Sequence, residues 1–348
     1  MSQKYFIALD THCEFSEMIA ISSAGKVKQR QRCATQIPAL VSAVESVPRP
    51  RVLTFEEGPL ACWLARNLSE HVDELIVCDP RRNALVAKED DKDDPLDAEK
   101  LAQLLRGGYL KKVHQTQTLD RVVLKQHVSF YHDRIRERVR QGHQLVAQLR
   151  RHGVFCSIDE LRDATQRSQV WKELPNRKLL RTDLDHLWKV YELLLTQEEE
   201  LRAELIRLAR RELVVRRFQE LPGIGWIRAL TFFVYIDTPH RFAKKTKLWR
   251  YCGIGLERSG SGNGPRRVRL GKNGNRRLKS VLLGGALSAI SQAGSPFADK
   301  YQHWTKEQGI HPATARRNVA RCLATTMWSL WKSGGQYDPQ QVRKSSRS

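Results

Sequence analysis

The chain has 348 residues, 41% of them hydrophobic, and carries 60 Lys and Arg against 38 Asp and Glu, a formal net charge of +22. This length predicts two or three domains, and the apolar share is high enough for packed cores, which excludes a globally disordered chain. The excess of positive charge favours a polyanionic partner, which means DNA, RNA or an anionic membrane surface, and its placement favours nucleic acid.

Hydropathy and cysteine spacing exclude other classes. No stretch approaches the roughly 18 uninterrupted apolar residues of a membrane span, and the N-terminus lacks the basic and apolar regions of a signal peptide. The seven cysteines are dispersed, without a Cys-x-x-Cys pair, so they predict reduced thiols rather than structural zinc. We therefore expect a cytoplasmic protein with no membrane partner.

Strands and helices alternate over residues 1–115. The predicted strands cover residues 5–9, 18–21, 26–34, 52–55 and 75–78, and the predicted helices cover residues 40–47 and 60–68. The turn at Gly25 separates the second and third strands, as a hairpin requires. A meander followed by strand–helix–strand–helix predicts an α/β domain, a mixed sheet with helices on its faces.

Four carboxylates on three of these elements form a candidate metal site. Asp10 and Glu56 each end a predicted strand, whereas Asp94 and Asp97 open a predicted helix and extend its core-facing stripe. Taken singly, each acid has an ordinary explanation as a cap or turn residue, so the prediction depends on the set. Clustered carboxylates need cations between them, and two Mg²⁺ ions about 3.5–4 Å apart suit phosphoryl transfer.

Residues 116–215 predict a helical or coiled-coil segment. Apolar side chains recur at spacings of three and four, at Leu187, Tyr191, Leu194, Leu201, Leu205 and Leu208. An earlier helical stretch, residues 128–149, is a possible partner, and the polar residues 159–181 between them predict a loop. Periodicity does not separate an intramolecular hairpin from a dimer arm, so both interpretations remain open.

A mainly α domain is predicted over residues 216–335, followed by a basic tail, 336–348. It begins with a Pro-Gly-x-Gly turn in which Gly223 and Gly225 precede an apolar helical run. This turn resembles the helix–hairpin–helix hairpin, whose backbone N–H groups bind DNA phosphates. An ordinary tight turn between two helices is the alternative.

A loop rich in glycine and serine follows, with no acidic residue from Arg258 to Ala298. The predicted phosphate contacts are its cations, Arg258, Arg266, Arg267, Arg269, Lys272, Arg276, Arg277 and Lys279. Glycine–serine runs are usually flexible linkers, but a linker does not need this density of cations, so we favour a phosphate-binding loop. A serine here is a candidate nucleophile, because nearby cations or metal lower its proton affinity.

In this order, the motifs resemble the DEDD transposases of the insertion sequence 110 family over nearly the whole chain. The landmarks are Ala8-Leu9-Asp10, Phe55-Glu56-Glu57-Gly58, residues 92–98, Leu221-Pro222-Gly223-Ile224-Gly225, residues 251–262 and Lys272-Asn273-Gly274-Asn275. The resemblance implies an N-terminal RuvC-like domain of the ribonuclease-H-like fold, with Asp10, Glu56, Asp94 and Asp97 as the DEDD metal site. It also implies a C-terminal domain whose serine attacks DNA.

The resemblance further implies donor and target DNA as partners, a structured guide RNA (a bridge RNA) and assembly into dimers or tetramers. Two positions remain open. Glu56 is preferred to the adjacent Glu57 because its spacing to Ala65-Arg66 matches the family better. The doubled Ser-Gly step offers two serines, and counting from Gly253-Ile254 favours Ser261 over Ser259.

The sequence thus predicts an RNA-guided, Mg²⁺-dependent DNA recombinase. In one alternative the protein is a junction-cutting nuclease that uses metal-activated water, with Ser261 only binding phosphate. In the other it is a catalytically inactive nucleic-acid-binding protein. A covalent protein–DNA adduct distinguishes the recombinase from the nuclease.

Overall fold

A computed structural model describes residues 3–80, 94–116, 118–259, 267–271 and 273–344, with the backbone alone for 94–96, 258–259, 267–268 and 344. The chain forms two compact units, residues 1–122 and 123–348. Within the described residues, none of the helices is long and apolar enough to cross a membrane.

The N-terminal unit is built on a five-stranded mixed sheet. Its strands are β1 (Tyr5–Thr11), β2 (Phe15–Ser22), β3 (Val27–Ala34), β4 (Arg51–Glu56) and β5 (Glu74–Cys78), in the order β3-β2-β1-β4-β5. Strands β1 to β3 form an antiparallel meander, and β1, β4 and β5 run parallel. The predicted mixed α/β fold is confirmed, and it is consistent with a RuvC-like domain.

Helices cover both faces of this sheet. They are α1 (Ile37–Glu45), α2 (Ala61–Leu68) and α3 (Asp94–Arg106). Ile7 and Leu9 of β1 belong to the core that α1 and α2 complete, whereas Ala8 belongs to a second core with Ala98 and Ala102 of α3. Alternate residues of one strand therefore serve two separate cores, as expected for a strand buried on both faces.

Two long helices, α4 (Leu119–Arg151) and α7 (Lys178–Ala209), pair within the chain. Arg138 of α4 forms an ion pair with Glu198 of α7, and Gln141 Nε2 donates to the Leu187 carbonyl at 3.3 Å. The predicted helical segment therefore contains an intramolecular hairpin.

The prediction of a loop over residues 159–181 was wrong. The structure has two short helices there, α5 (Ile158–Arg162) and α6 (Ala164–Glu173). Ser157 and Glu160 form a reciprocal capping box at the start of α5, and the Asp163 carboxylate accepts from the Gln166 N–H at the start of α6. Polar residues thus begin these helices by satisfying N–H groups that lack an intrahelical partner.

The rest of the second unit is mainly helical, as predicted. Its elements are α8 (Leu213–Gln219), α9 (Trp226–Ile236), α10 (Lys245–Tyr251), the hairpin β6 (Leu256–Ser259) and β7 (Arg267–Leu270), α11 (Arg276–Ser291), α12 (Pro296–Gln302), α13 (Pro312–Ser333) and α14 (Pro339–Lys344). Phe218, Phe232 and Met327 lie fully buried in its main core. Helix α14 lies within the predicted tail, and its Val342 is buried.

Candidate metal site and serine hairpin

Two of the predicted acids lie side by side where parallel strands end. Leu9 of β1 pairs with Phe55 of β4, so Asp10 and Glu56 occupy the next position along two neighbouring strands. Neighbouring strands lie about 4.8 Å apart, and side chains two residues apart share a face. Because Ala8 belongs to the core under α3, Asp10 and Glu56 lie on the α3 side of the sheet.

Helix α3 runs antiparallel to β1 on that face. Near its C-terminal end, Gln103 Nε2 donates at 2.9 Å to the carbonyl of Gly25 in the turn between β2 and β3. That turn lies at the amino end of β1, because Ser22 pairs with Tyr5. The first turn of α3, which contains Asp94 and the exposed Asp97, is therefore directed toward the edge where β1 and β4 end.

The donor set at this edge fits a hard cation. Carboxylates are the preferred ligands of Mg²⁺, which is commonly held by one or two of them together with water and phosphate oxygens. The described part of the chain contains no group of three or more His, Cys, Asp or Glu able to hold a metal ion. Residues 81–93 and the side chain of Asp94 lie outside that part. Among the described residues, the candidate metal ligands are therefore Asp10 and Glu56. Asp97 lies in the first turn of α3, which is directed toward this pair.

The position of Glu57 bears on the choice between the two adjacent glutamates. Its backbone N–H donates to the Cys78 carbonyl at 2.8 Å, one residue beyond the end of β4. Glu56 is the residue of this pair that aligns with Asp10, and successive side chains of a strand point to opposite faces. The register therefore supports Glu56.

Two further residues at or beyond the carboxyl ends of the parallel strands were missed by the sequence reasoning. His12 Nε2 lies 3.4 Å from Asp10 Oδ2, and its ring centroid lies 4.8 Å from that of Phe15. Asp79 follows β5, so all three parallel strands have an acid at or just beyond the carboxyl end. The strand-end rule that selected Asp10 and Glu56 applies equally to Asp79 and could have found it.

The hairpin of β6 and β7 contains the first of the two candidate serines. Ser259 is the last residue of β6 and pairs with Arg267 of β7. Ser261, Arg266 and Lys272 lie outside the described residues, as do the side chains of Arg258, Ser259 and Arg267. The site predicted around Ser261 therefore stays a prediction, and the base of the hairpin is the part with a described geometry.

Close backbone contacts hold this base. Gly253 has φ +69°, and a Cβ on Gly274 would lie 2.5 Å from the Gly253 Cα, so glycine is required at both positions. The Asn275 N–H donates to the Tyr251 carbonyl at 2.7 Å. Arg321 Nε, which is buried, donates to the Ile254 carbonyl at 2.8 Å. These contacts tie the segment that precedes the hairpin to the start of α11 and to α13.

The described cations of the basic cluster have different environments. Arg269 and Arg276 are exposed, and Lys279 is half-buried with its stem near Gly253. Arg277 is held inside the fold, because its guanidinium donates to Ser129, Tyr235 and Asp133. Arg277 thus has a structural role, while Arg269 and Arg276 remain accessible to a phosphate.

The two glycines of the Pro-Gly-x-Gly turn also differ. Gly223 has φ +78°, and a Cβ there would lie 2.2 Å from the Gly285 carbonyl oxygen and 2.6 Å from the Ala289 nitrogen, both of α11. Gly225 is exposed and begins α9 without a side-chain cap. The close packing against α11 explains why residue 223 is a glycine. Gly225, at the start of α9, is the position where unpaired backbone N–H groups of the first helical turn can bind an anion.

Two family models match this chain. Residues 7–153 match the DEDD transposase model of the IS110 type, and residues 215–302 match the model described as "Transposase IS116/IS110/IS902 family". The first match includes all four candidate acids, and the second includes the hairpin and the Pro-Gly-x-Gly turn. Both matches are to models of IS110-type transposases, one in the part of the chain with the candidate acids and one in the part with the hairpin.

Individual relatives agree with this class. The chain is 27% identical over 137 residues to "Transposase for insertion sequence element IS1111A" of Coxiella burnetii. The aligned region covers 38% of this chain and 36% of that protein. It is 23% identical over 342 residues to "Putative transposase y4pF/y4sB" of Sinorhizobium fredii, which covers 95% of this chain and 85% of that protein.

Proposed function

We propose that the protein is a transposase that cuts DNA at the ends of its insertion element and at target sites and rejoins the strands. The observation that carries this proposal is the presence of both IS110-family domains, with the candidate acids in one and the Ser-Gly loop in the other. The net charge of +22 supports a nucleic-acid substrate.

Asp10, Glu56, Asp94 and Asp97 are the proposed ligands of Mg²⁺, with two ions expected. Bound Mg²⁺ supplies positive charge that stabilises the attacking and leaving oxygens of a phosphoryl transfer. Asp10 and Glu56 support this role because they lie on neighbouring strands and share a face. Their carboxylates bring hard oxygen donors to one edge of the sheet.

Ser261 is the proposed nucleophile, with Ser259 as the alternative. Its Oγ forms a bond to a DNA phosphorus, the bond between that phosphorus and the 3′ oxygen breaks, and a proton leaves Oγ while the 3′ oxygen gains one. The products are a phosphoserine link and a free 3′ hydroxyl. Attack by the 3′ hydroxyl of another strand reverses this step, and no external energy is needed because a phosphate ester is kept throughout.

The surrounding cations support attack at this position. Arg258, Arg266 and Arg267 flank Ser261 in the sequence, and the exposed Arg269 and Arg276 lie in the same basic cluster. Guanidinium groups neutralise phosphate oxygens and stabilise the charge that develops during attack. The base of the hairpin is tightly packed at Gly253 and Gly274, and the proposed nucleophile lies between its two strands in the sequence.

A structured guide RNA and assembly into a dimer or tetramer complete the proposal. They follow from the resemblance to the family, and the +22 charge agrees with an RNA partner in addition to DNA. Base pairing of the guide would then select the DNA sites, while the protein binds mainly shape and backbone. Sequencing the nucleic acid that co-purifies with the protein tests this part.

A trapping experiment tests the serine mechanism. Wild-type protein with a nicked element-end duplex should give a protease-sensitive DNA adduct, and mass spectrometry should place the DNA on Ser261. Ser261→Ala should lose both cleavage and adduct but keep DNA binding, with Ser259→Ala as the matched control. An adduct on Ser259 would move the nucleophile by two residues and keep the mechanism. Cleavage by Ser261→Ala without any adduct would replace it with metal-activated water.

A further inference from the structure

A row of charged residues crosses the sheet beside the candidate metal site. Arg32 of β3 pairs with Glu17 of β2, Glu17 pairs with Asp10 of β1, and Asp10 lies beside Glu56. Directly paired residues of neighbouring strands share a face. Arg32 therefore lies on the same face as the two acids, two strand spacings, about 10 Å, from Asp10.

Strand β3 is the outer strand, and its central cations are segregated to this face. Arg30 lies two residues before Arg32 and forms an ion pair with Glu99 of α3, the helix on the acid side. Gln29 is directed to the other face, where its amide donates to Ser46 Oγ at 2.8 Å. The positive charge in the middle of this strand is therefore presented next to the acids.

Both guanidinium groups are held in place and remain accessible. The Arg32 guanidinium lies 3.6 Å from the ring centroid of Phe15, with its Nε 3.5 Å from Glu17 Oε1, yet its side chain is 62% exposed. The Arg30 side chain is 51% exposed beside Glu99. Exposed ion pairs add little stability by themselves. A cation that is already positioned loses less side-chain entropy when it binds an anion.

We propose that Arg30 and Arg32 bind backbone phosphates of the DNA strand whose reacting phosphate lies at Asp10 and Glu56. This inference rests on the proposed function, because it assumes that DNA is cut at these acids. Residues two apart on a strand are about 6.8 Å apart. Consecutive phosphates of one DNA strand rise about 3.4 Å along the helix axis, but they are about 7 Å apart through space because the backbone winds around that axis. Arg30 and Arg32 therefore match adjacent phosphates, with Arg32 roughly one or two nucleotides from the reacting phosphate.

Protection of the sheet edge is the other reason to place cations on an outer strand. Protection requires charge along the edge, but it does not require both arginines on one face or a guanidinium fixed over an aromatic ring. The charge complementarity between these arginines and a phosphate backbone that continues to the acids favours DNA.

Arg30→Gln and Arg32→Gln test the surface, with Arg49→Gln as the matched control. Arg49 is also exposed and also paired, at 3.0 Å to Asp73, but it precedes β4 and lies at the opposite end of the sheet. Binding of the full chain to a labelled DNA single strand, its duplex and an RNA of the same sequence is measured over a range of salt concentrations. For the duplex, each β3 variant should lower the slope of log binding constant against log salt concentration by about 0.9 in magnitude. It should also weaken DNA binding about 3- to 10-fold, while the control matches wild type.

A second measurement locates the contact on the DNA. Single phosphates of the nicked element-end duplex are replaced by uncharged methylphosphonates, and cleavage is followed. Wild type should slow about 10-fold when a phosphate roughly one or two nucleotides from the cut is neutralised, and Arg32→Gln should be insensitive at that position. Two outcomes would overturn this inference. In the first, wild type cleaves DNA but the β3 variants bind DNA as well as Arg49→Gln does. In the second, the β3 variants weaken the binding of RNA alone. A wild type that binds DNA through these arginines but never cuts it would refute the proposed function instead.

Discussion

Replacing Gly223 by alanine tests the packing of the Pro-Gly-x-Gly turn. An alanine at φ +78° costs about 1–2 kcal/mol. Its Cβ would also lie 2.2 Å from the Gly285 carbonyl oxygen, a backbone atom of α11 that cannot rotate away. Overpacking of this kind costs typically 1–3 kcal/mol. Gly223→Ala should therefore lower the free energy of unfolding by about 2–5 kcal/mol.

Gly225→Ala is the matched control, two residues away in the same turn. A Cβ there meets no atom within 4 Å, and φ is −77°, which alanine adopts without strain. Alanine is a less favourable N-cap residue than glycine, which lowers stability, but it also reduces the conformational entropy of the unfolded chain, which raises stability. These two effects nearly cancel, so the free energy of unfolding should change by no more than about 0.5 kcal/mol.

Denaturant unfolding followed by far-UV circular dichroism and tryptophan fluorescence measures both variants. Gly223→Ala should also unfold about 4–20 °C lower, given about 2–4 °C per kcal/mol for a unit of this size. Equal stability of Gly223→Ala and Gly225→Ala would refute the assigned contact between the turn and α11. The stable Gly225→Ala variant then serves to measure the contribution of this turn to DNA binding.

Two further predictions concern charged and titratable groups. Asp10→Asn and Asp97→Asn should each abolish Mg²⁺-dependent DNA cleavage while leaving the thermal melt unchanged, because each removes an anionic ligand; full activity of both variants would contradict the metal site. Burial lowers the pKa of His132 to about 4, so this ring stays neutral in the folded protein while it gains a proton in the unfolded chain as the pH falls below about 6.5. Its contribution to the free energy of unfolding should therefore fall by about 3 kcal/mol between pH 7 and pH 4, and His132→Gln should lose this part of the pH dependence in denaturant melts. An unchanged pH dependence in His132→Gln would show that the ring is accessible to water.

Local patterns were sufficient to predict the sheet and the neighbouring acids. The apolar runs before Asp10 and Glu56 have the length of strands, and parallel strands bring their carboxyl ends to one edge. The stripe of α3 predicted which side of that helix is buried, and Ala98 and Leu101 are indeed buried. The same patterns missed α5 and α6, because those helices begin with polar capping side chains rather than with an apolar period.

Contacts between distant parts of the chain could not be predicted in this way. Arg277 was assigned to phosphate binding because cations surround it in the sequence. Its partner Asp133 lies 144 residues earlier, and only the fold brings the two side chains together. Gly223 is a similar case, because the five residues of its motif do not indicate that α11 approaches this turn so closely. Composition describes which groups are available, whereas long-range packing decides which of them remain accessible.

The two-sided burial of β1 limits how this part of the protein can change during evolution. Ile7 and Leu9 serve one core, and Ala8 and Asp10 face the other side. Deleting or inserting a single residue inside the strand would exchange the two sets, bury the carboxylate of Asp10 under α1 and α2, and direct a leucine to the acid edge. Changes of length in the first ten residues should therefore be tolerated only before Tyr5, so Asp10 should keep a constant distance from the start of its strand among active relatives.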